Sequence, residues 1–171
     1  RESPIDVYST FLGAHAFPKD RSRSEYIDEI LYEMIPLIAK RNLATYIDAF
    51  CEKNYFSASE VKKIFHQGSR FGLVPKLHSN QFNSIGGIKA AVDCGAISVD
   101  HLEVMKTSDI NALKGSDTIA CALPAVSYFL DIPYAPARKL IENKIPVALA
   151  TDFNPGSAMS ENIQLTMSMA V

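Results

Sequence analysis

Val147-Ala-Leu-Ala-Thr-Asp152 is a short, almost wholly apolar run that ends on a carboxylate. Both alternate sets of positions are apolar, which marks a strand buried on both faces, as in a parallel sheet, rather than one with a solvated side. The run 147–151 has five counterparts upstream, at 10–16, 43–50, 73–78, 96–102 and 118–123. Each is short enough for a strand, and helices are expected to cover them.

The intervening segments carry the helical signals. Ile27, Ile30, Leu31, Met34, Ile35 and Ile38 recur at three- and four-residue steps, with Asp28, Glu29 and Glu33 off the stripe. Pro36 is placed to kink the end of that helix. Ser57 followed by Glu60 reads as a capping box, opening a helix with Val61, Ile64 and Phe65 on one face and Gly72 suited to its C-terminal end. A shorter helix is expected over 85–94, closed by Gly95, and another over 137–143, with Pro136 at its first turn and Pro146 beyond its end. Strand then helix, six times over, predicts right-handed βαβ units and one parallel sheet of the α/β class. A doubly wound sheet or a barrel would satisfy the pattern, although no Gly-rich phosphate fingerprint follows the first strand.

A closed (β/α)8 barrel usually takes about 250 residues and eight units. Here there are 171 residues and six units, so positions 1–171 are read as one partial barrel domain cut from a longer chain. The helix-like run 162–171, which stops without a cap, adds to that expectation.

Composition narrows the function. A formal charge of −2, with 17 scattered Lys and Arg, gives no electrostatic footprint for nucleic acid or an anionic membrane, so a small-molecule substrate is expected. No apolar run reaches the roughly 18 residues of a membrane span, and positions 1–10 lack the regions of a signal peptide. Cys51, Cys94 and Cys121 are odd in number and widely spaced, as in a reducing compartment, and the protein is read as cytoplasmic.

In a parallel barrel the active site lies at the C-terminal ends of the strands. Four apolar segments end on a polar residue there: His15, His78, His101 and Asp152. Singly, each suits a turn or cap, and Asp152-Phe-Asn-Pro-Gly156 would make a polar turn on its own. Together they converge at one mouth, and imidazole with carboxylate is a ligand set for zinc or iron. Asp152 can be read as a ligand, as a general base, or as both: a metal lowers the pKa of water toward neutrality, and an adjacent carboxylate can take the proton and pass it to a leaving nitrogen. His66, on a charged helix, is expected to be solvated.

These strand ends resemble the amidohydrolase superfamily, and the longer motifs resemble its imidazolonepropionase family. The resemblance rests on Ser9-Thr-Phe-Leu-Gly-Ala-His15-Ala, Asp48-Ala-Phe-Cys-Glu52, Lys76-Leu-His78, Gly95-Ala-Ile-Ser-Val-Asp-His101-Leu-Glu, Tyr134-Ala-Pro-Ala-Arg-Lys-Leu and Ala148-Leu-Ala-Thr-Asp152-Phe-Asn-Pro-Gly156-Ser, in that order along essentially the whole chain. It implies a mononuclear zinc or iron hydrolase that opens the ring amide of 4-imidazolone-5-propanoate to N-formimidoyl-L-glutamate. It assigns His78 and Asp152 as metal ligands, His101 to polarise the reacting carbonyl, and Asp152 also to move the proton. His15, Gln81, Asn154, Gly156 and Ser157 become substrate or product contacts, and the family suggests a homodimer. Two departures stand out. The superfamily's His-x-His pair is not in this sequence, so the segments match barrel strands three to eight, with the first two strands and a flanking β-sandwich expected elsewhere. Gln81 stands where some members carry Glu; a neutral amide orients substrate but accepts no full proton, which leaves Asp152 as the base.

Overall fold

A computed structural model describes residues 4–170; the first three residues and Val171 lie outside the described residues. Among the described residues six parallel strands run β1 (Thr10–Ala14), β2 (Tyr46–Cys51), β3 (Val74–Ser79), β4 (Ser98–His101), β5 (Ile119–Ala122) and β6 (Val147–Leu149). They pair strictly in sequence order, β1-β2-β3-β4-β5-β6. A doubly wound sheet reverses its strand order at a switch point, so an order without reversal is that of a partial (β/α)8 barrel.

Helices form where the apolar stripes predict them. α1 (Arg23–Glu29), a π-helical turn (Ile30–Met34) and α2 (Ile35–Lys40) are one continuous stretch. Pro36 sits in the first turn of α2, and the π turn just before it absorbs the hydrogen bond that proline cannot donate. α3 (Ala58–Arg70) buries Val61, Ile64, Phe65 and Gly68 against the sheet and leaves His66 exposed. α4 (Gly87–Asp93), α7 (Ala137–Glu142) and α8 (Ile163–Met169) fall within the predicted windows. α5 (Thr107–Leu113) and α6 (Pro124–Leu130), seven residues each, lie outside the helices expected from sequence, whereas α4 and α7, no longer, are marked by Gly95 and by Pro136 and Pro146. No described helix is long and apolar enough to cross a membrane.

The two faces of the sheet differ in kind. Ile47, Ala49, Cys51, Leu77, Val99 and Ala120 point outward into the core shared with the helices. The alternate positions line a cavity of about 430 Å³ and include Lys76, His78, Ser98, Asp100 and Cys121. The expectation of apolar burial on both faces therefore holds only for the outer face of β2 to β5. The end strands β1 and β6 are mostly half-buried or exposed, having a neighbour on one side only, and the inner face carries a polar layer.

Helix α3 is tied down at its start. Ser57 caps it and Glu60 returns to the Ser57 backbone N–H at 2.8 Å, completing the capping box, while Arg23 of α1 reaches Glu60 through two hydrogen bonds of 2.7 and 2.5 Å. Arg23 first, and then the Ser57 donors, hold the Glu60 carboxyl down to about 2 from an ordinary value near 4.5. A depressed carboxyl contributes its stability above the unfolded-state value and loses it as pH falls through the folded one. Ser57→Ala is therefore expected to cost about 1 kcal/mol at neutral pH. The melting-temperature gap between wild type and Glu60→Gln should shrink steadily as the pH is lowered from 5 toward 2; a gap independent of pH would refute the assignment.

Candidate active site

Left-handed backbone recurs at the C-terminal ends of these strands. Asn80 after β3, His101 and Leu102 at the end of β4, and Asp152 after β6 all have positive φ, at 61°, 82°, 74° and 50°. A non-glycine residue there costs of order 1–3 kcal/mol, and such strain persists where surrounding contacts over-determine it. The contacts are present. Asn80 gives its amide N–H to the Val104 carbonyl at 2.7 Å and to Asp109 Oδ2 at 3.0 Å, and Asp109 also takes Ser84 Oγ and the Lys106 amide. Buried Glu52, at the end of β2, accepts the Phe82 amide at 3.0 Å and so pins the turn that carries Gln81.

Three imidazoles meet at this rim. The ring of His78 lies 5.7 Å from that of His15 and 5.3 Å from that of His101, centroid to centroid, and His15 stacks on Phe50 at 5.3 Å. Asp152 lines the same cavity as His78. Gln81 is buried in the turn immediately after β3. Asn154 spends its amide inside its own turn: Nδ2 donates to the Asp152 carbonyl at 2.6 Å and to Ser157 Oγ at 3.0 Å, and Oδ1 accepts the amides of Gly156 and Ser157, both at 2.8 Å. The polar turn and the candidate carboxylate are thus one structure, with Asn154 hydrogen-bonded to Gly156, to Ser157 and to the Asp152 backbone.

Behind the histidines stand carboxylates that the strand-end reading did not single out. Asp48 Oδ2 lies 3.0 Å from His78 Nδ1, and Asp48 Oδ1 accepts the His78 and Ala49 amides. Glu103 Oε1 is 3.6 Å from His101 Nδ1 and takes a hydrogen bond from Ser127 at 3.2 Å. Asp100 pairs with Lys76 at 3.8 Å and accepts Ser98 Oγ at 3.0 Å. The signal available for them was alternation: Tyr46, Asp48 and Phe50 share one face of β2, so a single acid in an otherwise apolar strand faces the barrel interior.

These charges set the local proton affinities. Burial alone would hold His78 down, but the Asp48 contact, with help from Asp100 and Asp152, raises it above the ordinary imidazole value. His15 is lowered, first by partial burial and then by His78. Asp100 is raised by burial, against the pull of Lys76 and His78. The thiols of Cys51 and Cys121 are pushed up to about 12, first by burial, away from the thiolate form in which a cysteine reacts.

The donor set fits a metal ion. Imidazole and carboxylate groups face one cavity, and Asp48, His78 and Asp100 bring ligand-type atoms within 4.8 Å of one another. A neutral ring nitrogen and carboxylate oxygens suit zinc and other divalent first-row ions.

No family model matches the chain. Among curated proteins it is 55% identical over 169 residues to an imidazolonepropionase of Flavobacterium johnsoniae, covering 98% of this chain and 41% of that protein. It is 52% identical to the imidazolonepropionase of Christiangramia forsetii over 97% of this chain, again 41% of the relative. Among solved structures, guanine deaminase from C. acetobutylicum with bound guanine superposes with a TM-score of 0.74 at 13% identity, over 98% of this chain and 44% of that one. A zinc-bound adenosine deaminase from Xanthomonas campestris gives 0.65 at 14% identity, over 92% and 40%. At such identities these two speak for the barrel fold alone. The chain spans about two-fifths of the length of the curated relatives it matches, and, with more than half its residues identical to one of them along that whole span, it belongs to the imidazolonepropionase family.

Proposed function

We propose that this chain supplies the later strands of a cytoplasmic, metal-dependent hydrolase that opens the ring amide of 4-imidazolone-5-propanoate to N-formimidoyl-L-glutamate. The observation that carries the proposal is the meeting of the His15, His78 and His101 rings beside a cavity that His78 and Asp152 line, in a chain 55% identical to an imidazolonepropionase. The remainder of the barrel and its flanking sandwich would belong to the whole protein, which we read as a homodimer acting on a small molecule.

His78 and Asp152 would hold a single zinc or iron ion. When bound, that ion supplies Lewis acidity that makes water a competent nucleophile near neutral pH. Asp152 takes the proton of the attacking water and returns it to the ring nitrogen that leaves. His101, fixed in a left-handed backbone and seated beside His78, donates toward the carbonyl oxygen as negative charge grows on it. His15 and Gln81 border the space for the ring and its carboxylate tail. Asn154, Gly156 and Ser157 hold the Asp152 turn at the edge of that space.

The competing enzyme class is a deaminase acting on a related heterocycle, since deaminases share this barrel. The two differ in what leaves the reacting carbon. The whole protein, incubated with imidazolone propionate, is expected to yield formimidoylglutamate without ammonia, and to lose that activity on chelation. Ammonia released from an aminated heterocycle, with no ring opening, would overturn the proposal; separate reconstitution with zinc and with ferrous iron assigns the metal.

A further inference from the structure

Asp48 is the one acid on β2 facing the barrel interior, and it is 2% exposed. The parallel register sets Phe50 opposite His78, so Asp48 sits one inward step below the imidazole, on the side away from the mouth. Its two oxygens have separate duties. Oδ1 is filled by two backbone donors, the amide of Ala49 at 2.7 Å and the amide of His78 at 3.2 Å. Oδ2 is left to face His78 Nδ1 at 3.0 Å. The approach is a close charge contact off the ring N–H axis, and Nδ1, which is buried, has no in-line acceptor among the described residues that competes with Asp48.

We infer that Asp48 is a positioning residue that fixes the tautomer of His78, holding the ring proton on Nδ1 and leaving Nε2 bare toward the cavity shared with Asp152. The inference rests on the reading of His78 as a metal ligand. A ligating imidazole generally gives its second N–H to a carboxylate, because that locks the ring and makes the ligating nitrogen more basic. What this chain adds is an asymmetry: because Oδ1 is committed to two N–H donors, the carboxylate cannot be replaced by its amide without consequence. In Asp48→Asn the amide oxygen must remain on the backbone donors. The NH2 group then faces Nδ1 and donates to it, which forces the ring proton onto Nε2, the nitrogen meant for the metal. An amide behind a histidine keeps the shape and imposes the wrong tautomer.

This gives an order of severity that a plain ligand role would not. Were Asp48 itself a ligand, alongside His78 and Asp100, Asn would retain a carbonyl oxygen and Ala nothing, so Ala would be the more damaging. Under the positioning role Asn is worse, since Ala leaves Nδ1 free to keep its proton with water as acceptor.

The test uses the whole protein, stripped of metal, with its fold checked by circular dichroism. Zinc affinity is measured by competition with a chromophoric chelator for wild type, D48A, D48N and H78A, and the His78 tautomer is read from ¹⁵N shifts of histidine-labelled protein. The expected result is an affinity loss of about 100-fold in D48N, exceeding that of D48A, with the His78 proton on Nδ1 in wild type and on Nε2 in D48N. Equal or greater loss in D48A, or an unchanged tautomer in D48N, overturns the inference. If D48N fails to fold, wild type alone decides, because a proton on Nε2 there is the opposite of what is proposed. An H78A protein that binds zinc like wild type would instead overturn the metal-ligand reading of His78, while the ¹⁵N measurement still judges the Asp48 pairing.

Discussion

Asp152→Asn in the whole protein should lower kcat by about 10²–10⁴-fold, the usual loss when a general base is removed. The substitution isolates the chemistry from the fold. Asp152 has a φ of 50°, and asparagine accepts the left-handed region as readily as aspartate does, so the backbone turn is kept. The Asn154 amide, which donates to the Asp152 carbonyl at 2.6 Å, remains in place as well. What disappears, on the proposed function, is a carboxylate able to take a proton and a charge able to hold a cation. Gln81→Glu should differ in kind: it matches the residue some members of the family carry, keeps the reach of the side chain, and should move KM or the pH profile more than the maximal rate. Steady-state kinetics on both variants, with metal content measured on the same samples, decides the division of labour. A kcat loss in Gln81→Glu as deep as that of Asp152→Asn would sink it.

Gly87→Ala should destabilise the protein by roughly 1–3 kcal/mol, the range for overpacking a filled core, without touching a candidate ligand. Gly87 opens α4 where that helix presses onto the ends of β2 and β3. A Cβ there would fall on Ser79 Oγ, with Cys51 Sγ at 2.9 Å and Cys51 Cβ at 3.0 Å. Neither neighbour can yield cheaply. Cys51 is fully buried, and Ser79 Oγ donates to Asn80 Oδ1 at 2.9 Å, in the turn that leads to Gln81. The helix must therefore move away from the strand that carries His78. Thermal melting gives the size of the effect, and a variant that melts with wild type would show that α4 has room to spare. Gly72 is the natural control, since a Cβ there meets nothing within 4 Å and only the backbone term of its positive φ is at stake.

Much of this architecture was legible in local order. Apolar runs announce parallel strands because the outer face packs under helices, fully so for β2 and only by half for β6, which ends the sheet, and strand-to-helix alternation follows from the handedness of the crossover. The capping box at Ser57 and Glu60 and the stripe on α3 appeared as written, because caps and stripes are contests among residues three or four apart. His15, His78, His101 and Asp152 were visible for a related reason: a polar residue ending an apolar strand has few places to go but the mouth.

Other features required the folded chain. Barrel and doubly wound sheet have the same alternation, and only the unbroken pairing order of β1 to β6 separates them. The short helices α5 and α6, no shorter than α4 and α7, emerge only in the folded chain, where α5 buries Ile110 and Leu113 and α6 buries Ala125 and Val126. The π turn before Pro36 relieves a conflict the sequence shows only as a proline in a helix. Asp48 and Glu103 are 30 and 2 residues from the histidines they back, so no spacing rule joins each pair alike; the sheet register and a left-handed step at His101 and Leu102 do. Local sequence was enough to bring His15, His78, His101 and Asp152 to the C-terminal side of their strands, since polarity after an apolar run is a local property. Exact strand ends depend on pairing: β3 runs on to Ser79, and β6 stops at Leu149, three residues before Asp152. Tertiary structure alone decided which carboxylate stands behind which imidazole, because that depends on how neighbouring strands are aligned across a long connection.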